Sequence, residues 1–187
     1  MKLGFFTMPI HPLDKDWRQS LREDREAFLL ADKLGYTEAY VGEHATDRAE
    51  NITSCAVFIA SLIDATKTIK LGTGTINMPN AHPAATASQI AMLDHMLDGR
   101  FIFGISPGGL LSDAEAFGNL EADRNAMFLE AINAVLKIWQ SDPPYRASRY
   151  SQQGHARRQP GTCRPGLGTA GLHAGAERDH HRARSGR

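Results

Sequence analysis

The chain repeats one pattern four times, in which a short apolar run is followed by a segment with helical spacing of apolar residues. The centres of these runs fall near Leu3, Ala39, Gly72 and Phe103, at intervals of about 33 residues, the length of one strand-plus-helix unit. Parallel strands joined by helices form either an eight-unit barrel or an open doubly wound sheet. No Gly-x-Gly-x-x-Gly segment follows the first run, which favours an α/β fold of the (β/α)8 TIM-barrel class. Residues 1–145 are predicted to hold its first four units.

The clearest unit covers residues 81–109. Pro83 suits the first turn of a helix, apolar residues recur at three- and four-residue spacing as far as Leu97, and Gly99 suits a left-handed residue that ends the helix. An apolar strand and a glycine-rich loop follow. Ligands of parallel α/β folds bind at loops that leave the carboxyl ends of strands, so this loop is predicted to line a binding site. The segment after it is predicted to be a long loop that ends where Asp123 caps the fourth helix.

The end of the chain differs in composition from the rest. Residues 1–145 carry 12 Lys and Arg against 19 Asp and Glu, whereas residues 146–187 carry nine Arg, no Lys and two acidic residues. The second segment also has no Ile, Val, Phe, Met or Trp, so it lacks apolar surface that could offset the entropy of ordering. A basic nucleic-acid arm, a disordered tail and an out-of-frame translation of GC-rich DNA are the three explanations. Nucleic-acid arms mix Lys with Arg, so we predict a disordered or frameshifted tail and no nucleic-acid partner.

Several classes of protein are disfavoured by what the sequence lacks. No apolar run approaches transmembrane length, and Pro9 and Pro12 interrupt the first apolar segment before an export signal could form. We therefore expect a cytoplasmic protein without a membrane partner. Cys55 and Cys163 have no redox or metal spacing, and the histidines form no His-x-His or His-Glu-x-x-His pair. No metal site is expected.

Six groups of motifs follow one another over residues 1–145. They are KLGFF at 2–6, YVGEH at 40–44, IKLGTGT at 69–75, HP at 82–83 with AMLDH at 91–95, GRFIFG at 99–104, and FG at 117–118. In their order and spacing these motifs resemble the luciferase-like flavin-dependent monooxygenases.

This resemblance implies an eight-stranded barrel that binds reduced FMN at its carboxyl mouth and uses O2 to oxidise a small organic substrate. A deazaflavin-dependent oxidoreductase and a non-catalytic partner subunit are the alternative interpretations. The implied partners are a separate flavin reductase and, in the parent protein, a second copy in a dimer. Because the motifs match only the first half of such a barrel, the 187-residue chain is predicted to be a truncated and impaired form that binds flavin weakly or not at all.

The resemblance also implies the positions of site residues. His44 resembles the histidine that lies near the flavin and supports oxygen chemistry, and Glu43 beside it is the second predicted catalytic residue. An imidazole suits this role because it exchanges a proton near neutral pH. In this family, the segment after the third strand packs behind the flavin ring, often with a non-proline cis peptide. Asn77 lies in this segment but is equally typical of an ordinary turn. The predicted cofactor-binding residues after the third and fourth strands are Thr75, Ile76, Asn77, Ser106, Gly108 and Gly109.

Two further features of the predicted site concern the flavin phosphate and the apolar walls. Many members of the family carry an arginine in the fourth loop for the phosphate, whereas this sequence has Pro107 near that place. Backbone N–H groups of the loop glycines could contribute to such a contact. The side chains expected to wall the site are Phe6, Met8, Ile76, Met78 and Leu110.

Overall fold

Parallel strands alternate with helices through residues 2–141, the part of the chain that the computed structural model describes. The strands are β1 (Gly4–Thr7), β2 (Glu38–Val41), β3 (Lys70–Thr73), β4 (Ile76–Asn77), β5 (Phe101–Ile102) and β6 (Ile105–Ser106). The helices are α1 (Trp17–Lys33), α2 (Cys55–Ala60), α3 (Pro83–Leu97), α4 (Leu111–Ala116) and α5 (Arg124–Gln140). The tail predicted for residues 146–187 lies outside the described residues.

The strands form two parallel sheets. One has four strands in the order β1-β2-β3-β5, and the other pairs β4 with β6. Each strand of the larger sheet therefore lies beside the strand of the preceding βα unit, with a helix in the connection. This arrangement confirms the predicted α/β class with a parallel sheet.

The two sheets exist because the third and fourth predicted strands are each broken at a close contact between Thr73 and Gly104. The Thr73 hydroxyl donates to the Gly104 carbonyl oxygen at 2.7 Å and accepts from the Gly104 N–H at 2.8 Å. A Cβ atom at residue 104 would lie 2.1 Å from the Thr73 carbonyl oxygen, so only glycine fits there. The side chain of Thr73 thus replaces one step of the backbone ladder, and the strands resume as β4 and β6.

One face of the larger sheet forms the core with the helices. The paired residues Phe5, Ala39, Leu71 and Phe101 cross the sheet in register. Ala39 and Leu71 belong to the buried apolar core, and the two phenylalanines pack against it. Phe28 of α1 packs edge-to-face on Phe5, with ring centroids 5.2 Å apart. Because side chains alternate along a strand, the neighbouring row faces the other way.

The second row consists of Phe6, Tyr40, Gly72 and Ile102, also in register. Phe6 is 60% exposed. A Cβ atom at Gly72 would lie 2.5 Å from the ring of Tyr40, so the tyrosine ring lies across the glycine. This face therefore presents aromatic surface near the carboxyl end of the sheet.

The ends of helix α3 and the start of helix α5 agree with the sequence prediction. Helix α3 spans Pro83–Leu97, as its spacing predicts, and ends at Asp98 and Gly99, which both have left-handed backbone conformations. Helix α5 begins directly after its cap, Asp123. The prediction of an uninterrupted loop before Asp123 was wrong, because that segment contains the six-residue helix α4. Among the helices of residues 2–141, none combines the length and apolarity needed to cross a lipid bilayer.

At the amino-terminal edge of the sheet, Asp32 fastens α1 to the segment that leads into β3. Its carboxylate accepts from the backbone N–H groups of Lys67, Thr68 and Ile69 at 2.7 to 3.0 Å, and from the Thr68 hydroxyl at 3.0 Å. Burial on its own would raise the pKa of Asp32, but these four bonds outweigh it and lower the pKa to about 2. The ionised carboxylate is therefore favoured in the folded chain.

Replacing Asp32 with asparagine should destabilise the chain in a pH-dependent way. At neutral pH we expect the free energy of unfolding to fall by about 1–2 kcal/mol, after allowance for solvent screening at this partly exposed site. Because the folded-state pKa lies below the unfolded value of 3.8, the contribution is complete above that value and is lost as the pH falls towards about 2. Urea unfolding of both proteins should show the difference narrowing over that range.

Asp64→Asn is the matched control, since Asp64 is exposed and has no hydrogen bond within residues 2–141. It should unfold like the wild type at every pH. Equal stability of the Asp32→Asn variant and this control at neutral pH would contradict the role assigned to Asp32.

Candidate functional site

The carboxyl ends of neighbouring parallel strands bring most of the predicted site residues to one edge of the fold. His44 lies just after β2, Asn77 ends β4, and Ser106 ends β6. Asn77 and Ser106 face each other in the register of the smaller sheet. Loops at this edge are where parallel α/β folds bind ligands.

His44 is held by a buried carboxylate from α4. Its Nδ1 atom lies 3.0 Å from Oδ2 of Asp113, a residue that is only 2% exposed. The other carboxylate oxygen, Oδ1, accepts from the N–H of Thr46 at 2.9 Å and from its hydroxyl at 2.7 Å. Asp113 therefore fixes both the imidazole and the loop that follows it.

Asp113 also determines which nitrogen of His44 can accept a proton. Burial by itself would raise the pKa of Asp113, but the hydrogen bonds from His44 and Thr46 outweigh it and lower the pKa. An ionised carboxylate only accepts hydrogen bonds, so Nδ1 carries the proton in the neutral ring. The Nε2 atom of His44 is then the basic nitrogen.

Sequence reasoning missed Asp113. Its segment is rich in glycine and lacks a sustained helical pattern, so the residue looked like one of several acidic loop residues. Its spacing from His44 along the chain matches no motif, and only the tertiary structure brings the two together.

Glu43, the second predicted catalytic residue, accepts hydrogen bonds from two neighbouring segments. Its Oε2 accepts from the Cys55 N–H at 2.9 Å and from the Cys55 thiol at 3.0 Å, while Oε1 lies 3.4 Å from the Asn77 N–H. These donors join the end of β2 to the start of α2 and to β4. Three donors therefore occupy the Glu43 carboxylate and give it a positioning role, while the catalytic role expected from the family resemblance stays a prediction.

Four of the six predicted cofactor residues form one hydrogen-bond network. The Ser106 hydroxyl accepts from the Thr75 hydroxyl at 2.8 Å and from the Gly108 N–H at 3.2 Å, and it donates to Oδ1 of Asn77 at 2.8 Å. Asn77 is buried, which sets it apart from an ordinary turn residue. The peptide bond between Gly74 and Thr75 is cis. The ends of β4 and β6 therefore share a single polar lining.

The other two predicted residues, Ile76 and Gly109, lie outside this network. Ile76 is 8% exposed and belongs to the apolar core, so little of its surface could face a ligand. Gly109 is exposed, with open space where a side chain would lie.

The apolar walls are fewer than predicted. Met78 and Ile76 are buried in the core, and Met78 is only 1% exposed. Phe6 remains exposed, and Met8 and Leu110 are half-buried. The side chains that a ligand could reach are therefore Phe6, Met8 and Leu110.

The side chain of Arg124, which the sequence analysis did not single out, contacts the fourth loop. Nη1 of Arg124, the first residue of α5, donates to the Gly108 carbonyl oxygen at 3.3 Å. Asp123 caps the same helix by accepting from the N–H groups of Asn125 and Ala126. Arg124 could therefore make the phosphate contact that many members of the family make with an arginine in the fourth loop, where this sequence has Pro107. The only sequence signal for Arg124 is its position next to a helix cap.

Taken together, this edge can exchange a proton at Nε2 of His44 and can hold a polar ring and an anion beside it. The network of Thr75 and Ser106 offers hydroxyl groups, and Arg124 offers positive charge. Within residues 2–141, no group of three His, Cys, Asp or Glu side chains is placed to hold a metal ion.

Comparison with known proteins identifies relatives of this chain. The family model described as "Luciferase-like monooxygenase" matches residues 1–182. The 4-hydroxyprotoasukamycin monooxygenase of Streptomyces nodosus subsp. asukaensis is 35% identical over 144 residues, covering 77% of this chain and 39% of that protein. The limonene 1,2-monooxygenase of Rhodococcus erythropolis is 34% identical over 135 residues, covering 72% and 35%. The chain thus spans less than half the length of these relatives.

A solved structure shows the same fold. The oxygenating constituent of 3,6-diketocamphane monooxygenase from Pseudomonas putida, a type II Baeyer-Villiger monooxygenase in complex with FMN, superposes with a TM-score of 0.73 at 28% identity. The match covers 80% of this chain and 42% of that one. The described βα units therefore correspond to part of a TIM-barrel-like fold of this family.

We expect Glu43→Ala to loosen the junction of β2, α2 and β4. Loss of the acceptor for the Cys55 and Asn77 donors should lower the free energy of unfolding by about 2 kcal/mol. Burial and the nearby Glu43 carboxylate raise the pKa of the Cys55 thiol, so native Cys55 should alkylate very slowly with iodoacetamide and faster in the variant. Peptide mass spectrometry separates Cys55 from Cys163.

Glu121→Ala is the control, because Glu121 is exposed and has no hydrogen bond within the described residues. It should match the wild type in both measurements. If Glu43→Ala also matched the wild type, the positioning role would be wrong and the carboxylate would be available for proton transfer.

Proposed function

The chain belongs to the luciferase-like monooxygenase family, and from this membership we propose that it forms part of a flavin-dependent monooxygenase that uses reduced FMN and O2 on a small apolar organic substrate. The names of the relatives support this reaction class, since they are a 4-hydroxyprotoasukamycin monooxygenase, a limonene 1,2-monooxygenase and a 2,5-diketocamphane 1,2-monooxygenase. The substrate of this chain is proposed only as that class.

One observation carries the proposal. Two features lie at the same edge of the fold, each at a strand end. They are His44, with its basic nitrogen Nε2, and the polar network of Thr75, Asn77 and Ser106. Proton exchange and cofactor holding are thus provided by adjacent loops. The buried Asp113 carboxylate that orients this imidazole is the kind of charge partner that is common at functional sites.

The residues present fit a flavin. Hydroxyl and amide groups of the Thr75–Asn77–Ser106 network can hydrogen-bond to the polar edge of the ring, and Phe6 offers an apolar surface. Arg124 and the exposed Gly109 can meet the phosphate. When bound, reduced FMN supplies the electrons that activate O2.

The protein's own part in the reaction is to move a proton and exclude water. Nε2 of His44 can accept a proton and return it, while Asp113 stabilises the charged ring and keeps its orientation. Phe6, Met8 and Leu110 limit the access of water to the same region. We further propose a cytoplasmic protein that receives its reduced flavin from a separate reductase and whose parent is a dimer.

The proposal can be tested in a chimera in which residues 1–141 replace the matching segment of the Pseudomonas putida 3,6-diketocamphane monooxygenase constituent, which supplies the rest of the barrel. With reduced FMN and 3,6-diketocamphane, the chimera should consume O2 and form an oxygenated product. His44→Asn should lower the rate about 100-fold, as expected for loss of a general acid–base group. Oxygen uptake and product mass are the measurements.

His95→Asn is the matched control, since His95 is exposed on α3. It should leave the rate unchanged. A folded chimera that is inactive with FMN would contradict the proposal and favour a non-catalytic partner subunit, whereas turnover with a reduced deazaflavin instead would indicate the alternative oxidoreductase.

Arg124→Met should weaken binding of FMN to the chimera but not of riboflavin, which has no phosphate. A charge-assisted contact to phosphate is lost, so we expect about a tenfold higher Kd for FMN. Quenching of flavin fluorescence measures both ligands. Lys137→Met, at the other end of α5, should change neither. Equal weakening of both flavins would show that Arg124 acts on the loop and not on the phosphate.

A further inference from the structure

A second carboxylate faces His44 on the side away from Asp113. Oε2 of Glu50 lies 3.8 Å from Nε2 of His44, and both side chains are largely buried, with 13% and 15% of their surface exposed. The imidazole therefore lies between two acids that come from different segments, Asp113 from α4 and Glu50 from the loop after β2.

The position of Glu50 is fixed by its backbone. Oδ1 of Asp47 accepts from the N–H groups of Ala49 and Glu50 at 2.7 and 3.3 Å. Glu50 also forms an isolated antiparallel bridge with Ile10, and the His11 N–H donates to the Ala49 carbonyl oxygen at 2.8 Å. The carboxylate is thus held beside His44 by contacts that do not involve its own oxygens.

We propose that Glu50 acts on the reaction through His44. Its carboxylate receives the proton from Nε2 of His44 and returns it, so that the imidazole can act repeatedly as base and acid. The proposal rests on the proposed function of His44. In the transfer, the Nε2–H bond of the imidazolium breaks and an O–H bond forms on Oε2, so a charged pair becomes a neutral pair and no electrons are exchanged. A separation of 3.8 Å exceeds a direct hydrogen bond, so one bridging water or a small approach completes the path.

The charged groups around the pair favour this exchange. Burial raises the pKa of Glu50, the neighbouring Asp47 and Asp113 raise it further, and His44 opposes them. Asp113 differs because three donors hold it in the ionised state, whereas the Glu50 side chain has no hydrogen bond within the described residues. Glu50 is therefore the carboxylate that can take up a proton.

The test is the titration of His44 in the purified 187-residue chain. Deuterium exchange at the Cε1 hydrogen of each histidine, followed against pH by peptide mass spectrometry, gives one titration midpoint for each ring. Glu50→Gln keeps the shape and removes the negative charge. Because an adjacent carboxylate favours the imidazolium, the His44 midpoint should lie lower in this variant than in the wild type.

Two controls separate the influence of the Glu50 carboxylate from a general disturbance of the fold. Glu130→Gln on exposed α5 surface should leave the His44 midpoint unchanged, and the His82 and His95 midpoints should not move in either variant. An unchanged His44 midpoint in folded Glu50→Gln would overturn the proposal. If Glu50→Gln fails to fold, Glu50→Asp replaces it, and a His44 midpoint that does not shift with the moved charge overturns it as well.

The experiment contains no flavin, substrate or O2. Its result therefore stands whether or not the monooxygenase activity is found, and failure of either proposal can be recognised separately.

Discussion

Hydrogen bonds from distant backbone N–H groups to carboxylates hold the loops around this sheet. Asp32 accepts from residues 67–69, Glu43 from residues 55 and 77, and Asp113 from residue 46. The pattern has a physical origin. Parallel strands connected by helices leave the N–H groups of each connecting loop without a ladder partner, and such groups are costly to bury unpaired. A carboxylate can satisfy several of them at once, and each bond is stronger because the acceptor is charged.

At the carboxyl edge of the sheet, the same carboxylates that stabilise the loops also position the residues of the candidate site. Asp113 satisfies the loop N–H of Thr46 and, with its second oxygen, orients the ring of His44. Glu43 in turn fixes β4, whose last residue, Asn77, belongs to the polar network of Ser106. The side chains that would meet a ligand are thus positioned by groups that also hold the fold, so their geometry is set before any ligand arrives.

The local part of this structure was predictable and the tertiary part was not. The spacing of apolar residues and the caps predicted the parallel strands and the helices α3 and α5, because these signals depend on neighbours in the chain. The break at Gly104, the helix α4 and the roles of Asp113 and Arg124 depend on contacts between distant segments, which no spacing records. The hydrogen bonds of Glu43 to Cys55 and Asn77 could not be predicted either, because its position beside His44 in the sequence does not show which way its oxygens turn. The site roles inferred from the family resemblance and the nature of residues 146–187 stay predictions.

The two acids beside His44 show how hydrogen bonding divides similar groups into different roles. Burial raises the proton affinity of both carboxylates. Asp113 receives three hydrogen bonds that favour its ionised form, so its pKa falls in spite of burial, whereas Glu50 lacks such donors among residues 2–141 and its pKa rises. The ionised form is therefore favoured for Asp113, which orients the ring, whereas the protonated form is easier to reach for Glu50. Two chemically similar carboxylates can therefore have different roles in one fold when their pKa values are shifted in opposite directions.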